Sequence, residues 1–146
     1  MNENNQKIFY LEKNNLDKKR IKNLVQFILK NEKITSQIEL NIIITNDEYL
    51  HKLNKKFRNI DSPTDVLSFS FDNEFPKIEA QILGEVYISF GTAKKNAKQH
   101  KVLLQSEIER LVIHGILHLI GYEHENNSGK IKMQTKTDFY LKNFME

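Results

Sequence analysis

No cysteine occurs among the 146 residues. That excludes a disulfide framework, a thiolate nucleophile and every Cys-based metal site, so a metal in this chain must be held by His, Asp or Glu. Glycine and proline are scarce as well, with five and two residues. No Pro, Gly or Ser-rich linker separates regions of different composition, which argues against disorder, a fibrous repeat or tethered domains. No apolar run reaches the roughly 18 residues a membrane span requires, and the start, MNENNQKIFYLEK, has neither the cationic opening nor the apolar core of a secretory signal. The expectation is one domain, residues 1–146, in the cytoplasm and without membrane contact. Charge of one sign is not in large excess: 22 basic against 19 acidic side chains give +3. That balance is compatible with a nucleic-acid partner but does not establish one.

What is present is 39% hydrophobic residues, patterned along the chain. The run Ile8 to Leu11 reads as a strand. From Leu16 onward, Ile21, Leu24, Val25, Ile28 and Leu29 follow the spacing of an amphipathic helix, with Asp17 at its start complementing the helix dipole. Gln37 to Thr45, rich in β-branched Ile, reads as a second strand, after which Asn46 or Thr45 can cap a helix through Tyr49, Leu50, Leu53 and Phe57. A loop over Asn59 to Asp65 precedes a third strand, Val66 to Phe71. A second loop, Asp72 to Ala80, precedes a fourth strand, Ile82 to Phe90. Helices are expected from Thr92, from Leu103 to Ile120 and from Ser128 to Phe144, the last with Ile131, Phe139, Tyr140 and Phe144 available for packing. The segment Leu111 to Ile120 is apolar nearly all round, as a buried helix is, and Gly121 suits the left-handed residue that ends it. The expected class is α/β, in an α+β-like arrangement: a four-stranded mixed sheet flanked by about five helices, one of them buried and bearing histidines.

That helix carries the strongest chemical signal. His114-Gly-Ile-Leu-His118-Leu-Ile-Gly121-Tyr-Glu-His124 gathers three of the five histidines. His114 and His118 stand about 40° apart around a helix axis, so both imidazoles project from one face and can share a cation. Gly121 permits the reversal that returns His124 toward the same point. Three imidazoles and a fourth position for water make a catalytic zinc site, in which the pKa of bound water falls to about 7. Core histidines satisfied by hydrogen bonds are the plainer alternative, but an i, i+4 pair followed by a glycine turn and a third His is hard to explain as packing. Zinc is favoured because imidazole suits it and no redox chemistry is implied, while nickel, iron and cobalt accept the same ligands. The spacing also invites comparison with the zinc-protease pattern H-E-x-x-H-x-x-G-x-x-H. There the Glu is the general base, and here that position is Gly115. Glu107, Glu109 or Glu123 could substitute only if the fold placed one at the metal.

Taken with Ser62-Pro-Thr-Asp-Val-Leu-Ser-Phe69 and Gly84-Glu-Val-Tyr-Ile-Ser89, the histidine segment resembles the YbeY family of bacterial rRNA maturation factors. The family pattern H-G-x-L-H-L-x-G-Y-D-H is matched except for Glu123 in place of Asp, which keeps the charge and lengthens its reach by one methylene. The resemblance implies an α/β sheet with flanking helices and His114, His118 and His124 as ligands of one zinc ion. It implies a metal-dependent endoribonuclease acting on single-stranded RNA, in maturation of the 16S rRNA 3′ end and ribosome quality control. The implied partners are rRNA of the small ribosomal subunit and a ribosomal protein or GTPase.

The resemblance also makes Arg58, seven residues before Asp65, the match for a functionally important arginine. A guanidinium can bind a scissile phosphate bidentately and stabilise the charge of the transition state; Arg58 and His114 are thus the catalytic candidates. Thr64 and Asp65 either order the loop or orient a ligand histidine, and Tyr122 is a candidate for contact near the site. Lys94, Lys98 and Lys101, with Lys52, Lys55 and Lys56 on the earlier helix, either track an RNA backbone or are simply solvated. Phe69, Phe71, Tyr87 and Phe90 offer stacking surfaces or belong to the core. His51 and His100 are expected at the surface and Met133 in packing. The general base stays open, as does the choice between attack by water and attack by the RNA 2′-OH. A different class of reading is a non-catalytic ribosome assembly factor with a structural zinc.

Overall fold

Among the described residues nine elements follow one another: β1 (Asn5–Tyr10), α1 (Lys18–Asn31), β2 (Ile38–Thr45), α2 (Asp47–Arg58), β3 (Val66–Ser70), β4 (Gln81–Ser89), α3 (Phe90–His100), α4 (Leu104–Leu119) and α5 (Asn127–Asn143). The computed structural model describes residues 5–10, 14–34, 38–70, 81–122 and 126–144. The loop over Asp72 to Ala80, Phe71, Glu123 and His124 lie outside the described residues.

The sheet order is β1-β2-β4-β3. β1, β2 and β4 run parallel, and β3 pairs antiparallel to β4 and forms the edge. Parallel neighbours need a crossover between them; α1 supplies it from β1 to β2. Its start is set by Asp17, whose carboxylate accepts from the Arg20 N–H at 3.0 Å. Its apolar stripe, Ile21, Leu24, Val25, Ile28 and Leu29, is buried in full. Alternation along β2 and β4 sends Leu40, Ile42, Ile44, Val86 and Ile88 to one core with α1, α4 and α5. Burying each such side chain contributes about 1.5–3 kcal/mol. Asn46, rather than Thr45, caps α2 by accepting from the Tyr49 N–H at 2.8 Å.

Several expectations are corrected. Phe90 opens α3 instead of ending a strand, because the Ser89 hydroxyl accepts from the Thr92 N–H and caps the helix there. Along α5 and its C-cap Phe144, the residues Met133, Thr137, Tyr140 and Phe144 form the i, i+4, i+7, i+11 stripe that faces the core. Ile131 (67% exposed) and Phe139 (45% exposed) fall on the other side of the helix and do not pack into it. Burial of α4 also extends beyond its apolar second half, since Glu107 and Glu109 are buried. Tyr49 and Phe57 on α2 remain exposed. No helix among the described residues is long and apolar enough to cross a membrane.

Candidate active site on helix α4 and edge strand β3

Helix α4 lies against the sheet at Gly115. A Cβ there would meet Val86 Cγ1 at 2.5 Å and Ser68 Oγ at 3.2 Å, so only a residue without a side chain lets the helix sit this close. The approach is fixed by a hydrogen bond: Ser68 Oγ donates to the Gly115 carbonyl at 2.9 Å. The carbonyl of Ser68 accepts from Arg58 Nη2 at 2.8 Å. Arg58 ends α2 and lays its guanidinium 5.0 Å from the centre of the Phe69 ring. One residue of β3 therefore holds both the arginine and the backbone of α4 between its two histidines. Ser68 was not among the residues the sequence singled out; the signal is a small polar residue in an otherwise apolar strand centre.

His114 and His118 both lie on α4 and are half-buried. His118 Nδ1 is 3.0 Å from the Tyr122 carbonyl oxygen. A carbonyl only accepts, so Nδ1 carries a proton, and in the neutral imidazole the lone pair is then on Nε2, the tautomer in which an imidazole ligates a metal through that atom. The turn that makes this bond possible has Gly121 at φ +110°, and the Tyr122 N–H bonds back to the Leu117 carbonyl at 3.0 Å. The two imidazoles of α4 are a donor set that fits zinc, and the Tyr122 carbonyl leaves His118 Nε2 as the atom available to a metal. His124, the remaining candidate, falls outside the described residues. Among the described residues alone, no group of three or more His, Cys, Asp or Glu is gathered for a metal. Tyr122 also donates from its hydroxyl to Glu32 Oε1 at 2.8 Å, and burial together with that bond pushes its phenol up.

The loop before β3 is pinned to the sheet by the Ser89 N–H, which donates to the Asp65 carbonyl at 2.9 Å. Thr64 Oγ1 donates to Asp65 Oδ1 at 3.5 Å, and Asn96 of α3 reaches Asp65 Oδ2 at 3.4 Å. Asn96 also reaches Glu107 at 3.4 Å. Glu107 is almost wholly buried because Arg110 grips it with two nitrogens, at 3.0 and 2.6 Å. Glu109 is engaged by Arg20 at 2.7 Å and by Gln105 at 2.8 Å. Both acids are thus tied to arginines one to two turns before His114, which sets them apart from a general-base role at the histidines.

Lys94, Lys98 and Lys101 are exposed on α3 and its cap. Lys94 Nζ lies 5.6 Å from the Phe90 ring centre. Between α2 and the sheet, Phe57, Phe69, Tyr87 and Tyr49 form a chain of rings with centroid spacings of 5.4, 5.8 and 5.9 Å, the first and last on α2. His51 pairs with Asp61 at 2.7 Å, His100 is exposed, and Met133 is buried in the core.

Over residues 1–145 the chain matches the family described as Endoribonuclease YbeY. A curated relative of that name from Persephonella marina is 44% identical over 112 residues, covering 77% of this chain and 72% of that protein. One from Staphylococcus carnosus is 33% identical over 129 residues, covering 86% and 84%. A solution structure of a Thermotoga maritima protein is similar with a TM-score of 0.61 at 29% identity, over 94% of this chain and 87% of that one.

Proposed function

The chain belongs to the Endoribonuclease YbeY family, and from that premise we propose that it is an RNA endonuclease whose zinc ion is held by His114, His118 and His124. Its substrate is single-stranded RNA in the small ribosomal subunit, where it trims the 16S rRNA 3′ end and takes part in ribosome quality control in the cytoplasm. A ribosomal protein or a GTPase that presents the RNA fits this setting.

The observation that carries the reading is the double attachment of Ser68, whose carbonyl holds Arg58 and whose hydroxyl holds α4 between His114 and His118. It fixes a phosphate-binding cation and a metal-ligating pair to one rigid point, and preorganisation of that kind is what stabilises charge developing on a phosphoryl group. Bound zinc supplies Lewis-acid polarisation of a phosphoryl oxygen and lowers the pKa of water. Arg58 uses one N–H to anchor itself to β3 and presents the rest of its planar fork to non-bridging phosphate oxygens. The Tyr122 carbonyl keeps His118 in the tautomer a ligand needs. His114 stands one turn away on the same face. Gly115 takes no proton, and Glu107 and Glu109 are held by arginines, so the ends of the products distinguish the two possible nucleophiles: a 2′,3′-cyclic phosphate forms only if the RNA 2′-OH attacks.

The test is cleavage of an end-labelled single-stranded RNA by the full chain, with zinc measured on the same preparation. Chelation should abolish cutting. Arg58→Ala should lower the rate about 10²–10³-fold while costing only about 1 kcal/mol of stability, the scale of one hydrogen bond to an exposed side chain. Arg58→Lys should not restore the rate, because an ammonium lacks the fork. Cutting that survives both chelation and Arg58→Ala would sink the reading. Stoichiometric zinc without cutting, on free RNA and on ribosomal subunits, would favour an assembly factor with a structural zinc.

A further inference from the structure

Glu32 is the C-cap of α1, where a carboxylate faces the negative end of the helix dipole and does nothing for its own helix. Its side chain is nevertheless only 9% exposed and collects donors from two other parts of the fold. Tyr122 Oη donates to Oε1 at 2.8 Å. Lys136 Nζ, at 3.0 Å, and the Tyr140 hydroxyl, both from α5, donate to Oε2. A carboxylate this buried stays only because all these donors satisfy it, and they make it a rigid post between α1, α5 and the turn after α4.

The turn is where that rigidity matters. Tyr122 is held at three points: its N–H on the Leu117 carbonyl at 3.0 Å, its carbonyl under His118 Nδ1 at 3.0 Å, and its hydroxyl on Glu32 at 2.8 Å. The first two belong to α4 itself. The third is the attachment of this turn to the distant end of α1. We infer that Glu32 is a positioning residue for the zinc site, acting through Tyr122 to fix the ring orientation and tautomer of His118. The inference rests on reading His118 as a zinc ligand. Partners that orient a ligand imidazole set metal affinity within about 10–100-fold. The partner here is a backbone carbonyl, so its place is governed by what holds the residue that carries it.

The experiment measures zinc affinity of the full chain by chelator competition, together with the tautomer of His118 in the zinc-free protein from imidazole ¹⁵N shifts. Tyr122→Phe, which keeps the ring and loses only the hydroxyl, should weaken zinc binding about tenfold and mix Nε2–H tautomer into a His118 that is Nδ1–H in the wild type. Glu32→Ala should do the same, Glu32→Gln should recover most of the affinity by retaining an acceptor for Tyr122, and Tyr122→Phe combined with Glu32→Ala should be no worse than the weaker single variant. Thr92→Ala, which removes a hydroxyl bond to a carboxylate at the α2–α3 junction, is the control for stability loss alone and should change neither reading. Wild-type affinity and tautomer in Tyr122→Phe, or additive losses in the double variant, would overturn the inference. A wild-type chain that binds no zinc, or whose binding is indifferent to His118→Ala, would overturn the zinc reading along with it.

Discussion

Gly115→Ala is the sharpest probe of how α4 is seated. The added methyl would lie 2.5 Å from Val86 Cγ1 and 3.2 Å from Ser68 Oγ, well inside van der Waals contact, and Val86 is fully buried in the middle of the sheet. Forcing a methyl into a filled core costs about 1–3 kcal/mol. Alanine's better helix propensity offsets about 1 kcal/mol of that. The expected net loss is about 0–2 kcal/mol in urea denaturation, with the Ser68–Gly115 hydrogen bond stretched and zinc binding weakened. Val86→Ala alone removes two buried methyl groups, which at about 0.8 kcal/mol each plus a cavity term costs about 2–3 kcal/mol. The decisive measurement is the double variant. In it the new methyl at residue 115 occupies the space vacated at residue 86, so the two losses should fall short of their sum by about 1–2 kcal/mol. Additivity within about 0.5 kcal/mol, the range for sites that do not touch, would refute the claim that the glycine is there to let α4 approach β4.

Two further expectations concern charge. Hydrogen bonds from Ser89 and Thr92 hold the Asp47 carboxylate below its ordinary range, against the opposing effect of burial. The same direction holds at Glu32, where burial pushes upward and the donors Tyr140, Lys136 and Tyr122 outweigh it. A carboxylate depressed in the folded state stabilises fully above its unfolded pKa, about 3.9 for Asp, and loses that contribution as pH falls through the lower folded value. The wild-type urea midpoint should therefore fall between about pH 5 and pH 3 more steeply than that of Asp47→Asn, which takes up no proton; parallel curves would contradict the assignment. For the basic face of α3, replacing Lys94, Lys98 and Lys101 together with Gln should flatten the salt dependence of single-stranded RNA binding by about 0.7 in log–log slope for each lysine that meets a phosphate. An unchanged slope would remove this face from the RNA path.

Legibility in the sequence followed the range of the interaction. α1 could be read because its stripe, Ile21 to Leu29, is local and periodic, and Asp17 marks its start. β2 could be read from its run of Ile. The histidine pair was visible because two positions one helical turn apart need no tertiary information to share a face. The packing of α5 is not legible at Ile131 and Phe139 because several apolar residues lie around that helix, and only its docking on the rest of the fold, with Met133, Tyr140 and Phe144 in the core, decides which stripe turns inward. Glu107 and Glu109 look like ordinary surface acids of an amphipathic helix. Their burial depends on Arg110 three residues on, and on Arg20 from another helix. Glu32 carries no local signal at all, since its donors are 90, 104 and 108 residues away.

The identity of the residue at position 58 follows from β3 being the edge of the sheet. An edge strand leaves carbonyls that invite another chain, and one way to blunt it is to give them a cation. Lysine could cap the Ser68 carbonyl. It could not also offer a planar fork beside Phe69, where the guanidinium centre is 5.0 Å from the ring centroid, because its ammonium is a point charge on a flexible stem. The Ser68 carbonyl and the Phe69 ring hold the guanidinium from two sides, so under the proposed function the group that protects the edge is in place before a phosphate arrives. Ser68 then ties that orientation to α4 through its hydroxyl. A shift of the helix that relieves the 2.5 Å approach of a methyl at residue 115 to Val86 would pass through Ser68 to Arg58, so under the proposed function the seating of α4 bears on phosphate binding as well as on the metal.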